Sequence, residues 1–349
     1  MSDANRVPGP TEITELLSAR HPGVEVTSVT VLDETSGSAS RLRLDLEFAA
    51  GCDRGLPDRM FLKRNLEEFG FPEEMYTTEV RYYQDLHPEL DIEQPAVYAV
   101  HADRPTSFSI LMEDLGRRPG ASLGIVTRPT SVEEAAGVLD SLAGLHARYW
   151  NQPGLINDLA WLDRTDNSVT IKFWQQIGPR LVRRHLERGH RVGAVDLTRW
   201  SEERMWAAFA RLAVENAKPP ITVLHGDVHA GNVYYVDGVR GGLIDWQLML
   251  TGCWALDVGY LLQTALDPQT RALRERDLLA GYLDALGRRG VPPPTFDDAW
   301  LRYRMQPVWG VMMWLITPGG VHSDEVQLKS LSRCLAAGDH LDTLAALGV

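Results

Sequence analysis

Leu224-His225-Gly226-Asp227-Val228-His229-Ala230-Gly231-Asn232-Val233, followed by Gly242-Leu243-Ile244-Asp245-Trp246-Gln247, holds the densest chemistry of this 349-residue chain. An Asp precedes an Asn by five positions, and a second Asp closes a short apolar run. Phosphoryl transfer from ATP needs such a set: a carboxylate to orient and deprotonate the attacking hydroxyl, and oxygen ligands to hold Mg²⁺ against the phosphates. Asp227 is then the expected base, with Asn232 and Asp245 as metal ligands. A zinc site at His225 and His229 is not favoured, because Gly226 breaks a helix and no Glu stands where a His-Glu-x-x-His motif needs one. His225 reads as a hydrogen-bonding residue of the loop, and His229 stays open between that role and a phosphate contact. The chain has no Gly-x-x-x-x-Gly-Lys-Ser/Thr motif, which excludes a P-loop mechanism.

Upstream the pattern is β-like. A polar start leads into a short amphipathic helix through Ile13, Leu16 and Leu17. Val24 to Leu32 is rich in β-branched residues and Arg41 to Phe48 alternates charged with apolar side chains, which predicts two strands joined by a hairpin over Asp33 to Ser40. Met60 to Lys63 is a third strand. Pro72-Glu73-Glu74 opens a helix, with acids facing the positive end of its dipole, and this helix is expected to reach Leu86. Strands over Ala96 to His101 and Phe108 to Glu113 complete a five-stranded unit.

Past Leu115 the periodicity becomes helical. Ser131-Val132-Glu133-Glu134 is a capping box for a helix reaching Tyr149. Further helices are expected over residues 169–187, 197–216, 271–286, 297–315 and 324–344. Short strands interrupt them between Ile221 and Trp246, with Gly241-Gly242 as a hairpin turn. The fold class is therefore α+β with two lobes. Residues 1–111 form a small antiparallel-sheet lobe with one helix, 112–115 a hinge, and 116–349 a larger, mainly helical lobe.

The run His-Gly-Asp-x-His-x-Gly-Asn followed by Ile-Asp-Trp resembles the catalytic core of the aminoglycoside phosphotransferase and choline kinase superfamily, distant relatives of protein kinases. The resemblance spans roughly residues 25 to 265. It implies a protein-kinase-like fold, ATP and Mg²⁺ as cofactors, and roles for residues outside the loop. Lys63 stands where such kinases place the lysine that contacts the α- and β-phosphates, with Arg64 as its competitor. Glu79 matches the acid that pairs with that lysine, against Glu67, Glu73 and Glu74 as alternatives. Ser36, Gly37 and Ser38 occupy the place of the phosphate-covering loop, with one glycine instead of several. Leu111 to Leu115 fits the hinge, where Glu113 and Leu115 would meet adenine, and Asp257 resembles the residue that steadies the catalytic loop from the next helix.

Leu145-His146-Ala147-Arg148-Tyr149-Trp150 and Gln247 look like the ecdysteroid-kinase-like branch of that superfamily, whose members are thought to act on hydroxylated, rather apolar compounds. Asp297 to Ile316, expected as one helix, carries Trp300, Tyr303, Met305, Trp309, Met312, Met313 and Trp314, a stripe that either lines a substrate pocket or packs the core. The competing acceptor is a cationic amino sugar or choline-type alcohol held by Asp297, Asp298, Asp324 or Glu325, all of which also suit helix N-termini. A nucleotide-binding pseudokinase is the alternative outside enzymes, and the intact set of Lys63, Asp227, Asn232 and Asp245 speaks against it. The span between Asp245 and Asp257 is too short for an activation loop with a phosphosite, which speaks against protein substrates.

Hydrophobic residues are 44% and charged residues 23% of the chain, an ordinary globular balance. The net charge of −12 opposes a broad nucleic-acid surface. The longest apolar stretches, such as Val308 to Ile316, fall short of the ~20 residues a membrane span needs. The polar start does not suggest a leader, and three widely spaced cysteines suggest neither disulfides nor structural zinc, so a reducing cytoplasm is the expected location.

Overall fold

The structure, a computed structural model, describes residues 7–36, 39–65, 72–104, 106–155 and 157–349. The expected two-lobed α+β architecture is present: a small antiparallel sheet with helices, and a larger helical body. One compact unit reaches Glu89 and resumes over Gln94–Ala121, and the other comprises Leu90–Glu93 with Ser122–Val349.

In the first unit, β1 (Val26–Ser36), β2 (Ser40–Phe48), β3 (Arg59–Asn65), β4 (Val97–Arg104) and β5 (Ser107–Glu113) form one antiparallel sheet in the order β1-β2-β3-β5-β4. Period-two alternation explains it. Leu42, Leu44 and Leu46 are buried while Arg41, Arg43 and Asp45 are not. Met60 and Leu62 of β3 join the same core, closed by Ile13 and Leu17 of α1 (Pro10–Ser18). Each fully buried Leu there contributes roughly 1.5–3 kcal/mol. Strand β1 runs on to Ser36, which pairs with Ser40, so most of the expected hairpin segment is strand. Gly37 and Ser38 lie outside the described residues.

Helix α2 (Glu73–Arg81) starts behind Pro72 as the acids predict, but its continuation differs from the expected single helix. Tyr82–Leu86 is a wider π turn, and His87–Glu89 a 3₁₀ turn. The π turn accommodates two consecutive buried rings, Tyr82 and Tyr83, at 5.0 Å.

The chain enters the second unit through β6 (Ala121–Leu123) and continues into α3 (Val132–Tyr149). The capping box forms as predicted: Glu134 N–H donates to Ser131 Oγ at 3.1 Å, and Ser131 N–H to Glu134 Oε2 at 2.8 Å. After β7 (Asp163–Arg164) come α4 (Val169–Glu187) and α5 (Glu202–Asn216). Helix α5 begins later than expected because the Ser201 side chain caps it.

Next are β8 (Thr222–Leu224), β9 (Val233–Val236), β10 (Arg240–Leu243) and β11 (Leu250–Gly252); β11 pairs with β7 and β8. The β9–β10 hairpin turns at Asp237 and Gly238, whose φ angles are +54° and +68°. Gly241 and Gly242, expected as that turn, lie within β10 instead. A Cβ on Gly241 would sit 2.3 Å from Val138 N, so the glycine lets α3 lie directly on the hairpin.

The remaining helices are α6 (Ala255–Ala265), α7 (Pro268–Arg288), α8 (Phe296–Met305), α9 (Pro307–Ile316), α10 (Asp324–His340) and α11 (Thr343–Ala346). The helix expected over Asp297–Leu315 is two, because Pro307 lacks an N–H and starts α9 at its first turn. Trp309, Met312 and Trp314 of α9 belong to a buried apolar cluster with Phe209 of α5 and Tyr260 of α6. For Trp309 and Met312 the core-packing alternative holds.

Candidate active site

The loop after β8 is shaped by groups that never reach solvent. Gly226 has φ +82°, and a Cβ there would lie 2.1 Å from Leu248 O, so only glycine fits. Asp257 of α6 accepts two loop amides, His225 N–H at 2.8 Å and Gly226 N–H at 2.9 Å. His146 of α3 meets the same carboxylate through Nε2 at 3.2 Å, and its Nδ1 meets the Tyr282 hydroxyl at 2.7 Å. Asp257 and His146 are both fully buried. An acceptor carboxylate places the His146 proton on Nε2 and makes Tyr282 the donor to Nδ1. Sequence reasoning found Asp257 but not His146 as its partner. The available signal was a histidine on the helix face that also carries Leu139, Leu142 and Tyr149.

His225 does act within the loop. Its Nε2 lies 3.0 Å from Ile244 O, its Nδ1 accepts Asp227 N–H at 3.3 Å, and its ring packs on Trp246 at 4.5 Å. This ties the loop to the strand end that carries Asp245.

Asp227 and Asn232 are brought together. A 3₁₀ turn over Ala230–Asn232, capped by His229 Nδ1 accepting Gly231 N–H at 2.9 Å, returns Asn232 to the carboxylate. Asn232 Nδ2 donates to Asp227 O at 3.0 Å and to Asp227 Oδ2 at 2.9 Å. Both donors of the amide are thereby engaged, and its oxygen is the atom left to face a cation. Asp245 follows β10 with φ +67°, a left-handed conformation uncommon for a non-glycine residue. Burial, and then the charge of Asp245, push the Asp227 carboxyl well above the usual range, against the Asn232 hydrogen bond. Burial and then the neighbouring His322 bring the His229 imidazole down to about 3. His229 Nε2 lies 3.7 Å from Asp227 Oδ2, beyond a direct hydrogen bond.

These residues fit Mg²⁺. The donors are hard oxygens, from Asn232 and the Asp245 carboxylate, and the two aspartates repel each other unless a cation lies near. Among the described residues no group of three or more His, Cys, Asp or Glu is arranged around a metal position. Mg²⁺ on phosphates usually takes only one or two protein carboxylates.

In the first unit Lys63 and Glu79 form a buried ion pair. Lys63 Nζ is 2.8 Å from Glu79 Oε1 and 2.7 Å from Oε2, with side chains 5% and 3% exposed. Strand alternation separates the competitor: Arg64 points to the opposite face and meets Glu12 of α1 at 3.3 Å. Glu113 N–H donates to Ala96 O at 2.9 Å, and its carboxylate accepts Arg118 Nε at 2.7 Å. Leu115 opens a 3₁₀ turn capped by Asp114.

Trp314 of the aromatic stripe meets the loop with its ring. It lies 5.4 Å from the His229 ring and 5.3 Å from that of His322. Asp297 and Asp298 stand in the first turn of α8, and Asp324 and Glu325 in that of α10, as helix N-termini favour. Asp298 accepts the Thr295 hydroxyl at 2.7 Å, and Asp324 pairs with His190 at 3.0 Å.

Residues 48–296 match the family model described as Phosphotransferase enzyme family. No curated protein matches the chain. Among solved structures, a proposed aminoglycoside phosphotransferase of Ralstonia eutropha JMP134 is 14% identical with a TM-score of 0.54, covering 96% of this chain and 98% of its own. A choline/ethanolamine kinase family protein of Mesorhizobium loti is 14% identical at 0.52, covering 97% and 98%. The choline kinase LicA of Streptococcus pneumoniae is 13% identical at 0.51, covering 95% and 98%. At these identities the likeness carries the fold.

Proposed function

This chain belongs to the phosphotransferase enzyme family, and on that ground we propose that it moves the γ-phosphoryl group of ATP to a hydroxyl of a small molecule. The observation that carries this reading is the Asn232 amide, whose nitrogen holds the Asp227 carboxylate at 2.9 Å while the charge of Asp245 acts on that same carboxylate. Asp227 orients the acceptor hydroxyl for in-line attack and takes its proton. Asn232 and Asp245 hold Mg²⁺, which when bound neutralises phosphate charge. Lys63, oriented by Glu79, contacts the α- and β-phosphates. Ser36, Gly37 and Ser38 cover the phosphates, and residues 112–115, with Glu113 and Leu115, form the hinge that meets adenine, between lobes 1–111 and 116–349. Catalysis rests on positioning and charge neutralisation, as suits a loose transition state.

The acceptor in this reading is a hydroxylated apolar compound, as in the ecdysteroid-kinase-like branch. The ring cluster of His229, Trp314 and His322 beside Asp227 supports it. The cationic alternative is less well supported, since Asp298 and Asp324 already have partners. The three unpaired cysteines and the lack, among described residues, of any helix long and apolar enough to cross a membrane support a cytoplasmic setting.

The test is melting temperature with ATP–Mg²⁺, followed by phosphate transfer to hydroxylated lipids, sterols, polyols and aminoglycosides. A rise with ATP–Mg²⁺ is expected, because a ligand bound only by the native state stabilises it. Binding without transfer to any acceptor would favour the pseudokinase, and no response to nucleotide would overturn the roles of Lys63, Asn232 and Asp245.

A further inference from the structure

The segment between α9 and α10, Thr317–Ser323, contributes one ring to the neighbourhood of Asp227, and its backbone is fastened by two buried side chains. Arg191 donates to Leu315 O at 3.2 Å and Thr317 O at 2.9 Å. Gln327 donates to His322 O at 2.9 Å and Pro318 O at 3.5 Å. Arg191 and Gln327 are 1% and 0% exposed, so the two ends of the segment are fixed from inside the unit. Gly319, Gly320 and Val321 between them are exposed.

This fastening sets the His322 ring 5.3 Å from Trp314 and 6.0 Å from His229, whose Nε2 in turn lies 3.7 Å from the Asp227 carboxylate. Trp314 and His229 are themselves buried, at 2% and 5% exposure, and Tyr260 behind them at 2%. His322 is partly exposed. Of these rings it is the most open to solvent.

Resting on the kinase reading, we infer that His322 selects the acceptor by stacking against a neutral, flat, ring-bearing alcohol whose hydroxyl lies at Asp227. The wall consists of rings, and two of the four first-turn carboxylates of α8 and α10 on which a polycation would draw have partners of their own, Asp298 in Thr295 and Asp324 in His190. A planar acceptor gains ring-on-ring contact on this wall, whereas a flexible ammonium alcohol gains little. The residue acts on binding of the acceptor and takes no part in the chemical step.

The experiment measures binding of 2-naphthol, 7-hydroxycoumarin, estradiol and choline to the full chain by fluorescence and calorimetry, for wild type, His322→Ala and His322→Phe, with melting temperature as the fold control. Wild type is expected to bind at least one flat alcohol more tightly than choline. His322→Ala should weaken that binding about fivefold or more, and His322→Phe should restore most of it. Equal affinity of His322→Ala and wild type, or preference for choline, or no binding of any flat alcohol, would overturn the inference. Phosphate transfer from ATP–Mg²⁺ is followed in parallel. Binding that depends on His322 without any transfer would sink the kinase reading and keep the wall, while transfer indifferent to His322 would sink the wall alone.

Discussion

The two units hold their charged side chains in opposite ways. In the first, a lysine on β3 and a glutamate on α2 cancel each other inside the fold, both almost without solvent contact. In the second, carboxylates of one sign gather around one loop. Asp257 is satisfied by two backbone amides and His146, while Asp227 has an amide partner in Asn232 and the charge of Asp245 against it. The first arrangement is balanced in charge by itself. The second stores repulsion that a cation would relieve, so there the demands of function and of stability diverge.

That contrast can be attacked by mutation. The largest effect is expected at Asp227. Asp227→Asn should lower phosphate transfer by about 10²–10⁴-fold, the usual contribution of a positioned base. Stability should move the other way. A carboxyl raised in the fold above its unfolded value is penalised at neutral pH, and that penalty fades as pH falls toward the unfolded value. The variant should therefore melt higher than wild type at pH 7, with the gain shrinking toward pH 4. A lower melting temperature at pH 7 would contradict the repulsion argument.

Next comes the ion pair. Glu79→Ala leaves the Lys63 charge buried and should cost about 3–5 kcal/mol, whereas the double change Lys63→Met with Glu79→Leu should recover most of it. All ten tryptophans lie at Trp150 or beyond, within the second unit, so their fluorescence follows that unit while circular dichroism follows both. Loss of stability should appear in the dichroism of Glu79→Ala and be weaker in its fluorescence. Asp257→Ala should instead lower stability in both signals, because the second unit carries the tryptophans and most of the helix. It strands two buried amides and the His146 proton, at about 2–4 kcal/mol in urea unfolding. The smallest effect is at the α3 cap: Ser131→Ala should cost about 1 kcal/mol and leave transfer unchanged.

Much of this was legible where a residue's role is local. The alternation of Arg41–Phe48, the capping box at Ser131 and the limits of α4 each follow from neighbours within a few positions. Lys63 was separable from Arg64 only in space, since the sequence shows both on one strand and the choice depends on which helix covers which face. His146 escaped because its partners Asp257 and Tyr282 lie more than a hundred residues away. The aromatic stripe misled for a simpler reason. Pro307 is visible in the sequence, but the apolar run on both sides of it has one helical period, so the two helices look like one. Gly241 and Gly242 look like a turn by composition, yet space for α3 and for the Tyr234 ring explains them.

The grip of Asp257 on the loop has a consequence on the timescale of hours. Loops ordinarily exchange their amide hydrogens with water quickly, because their backbone opens with little cost. The amides of His225 and Gly226 donate to a carboxylate that water does not reach. Their hydrogens leave only when α6 separates from β8, an opening that disrupts the centre of the unit. The segment proposed to carry the chemistry should therefore be among the slowest-exchanging irregular backbone in the molecule.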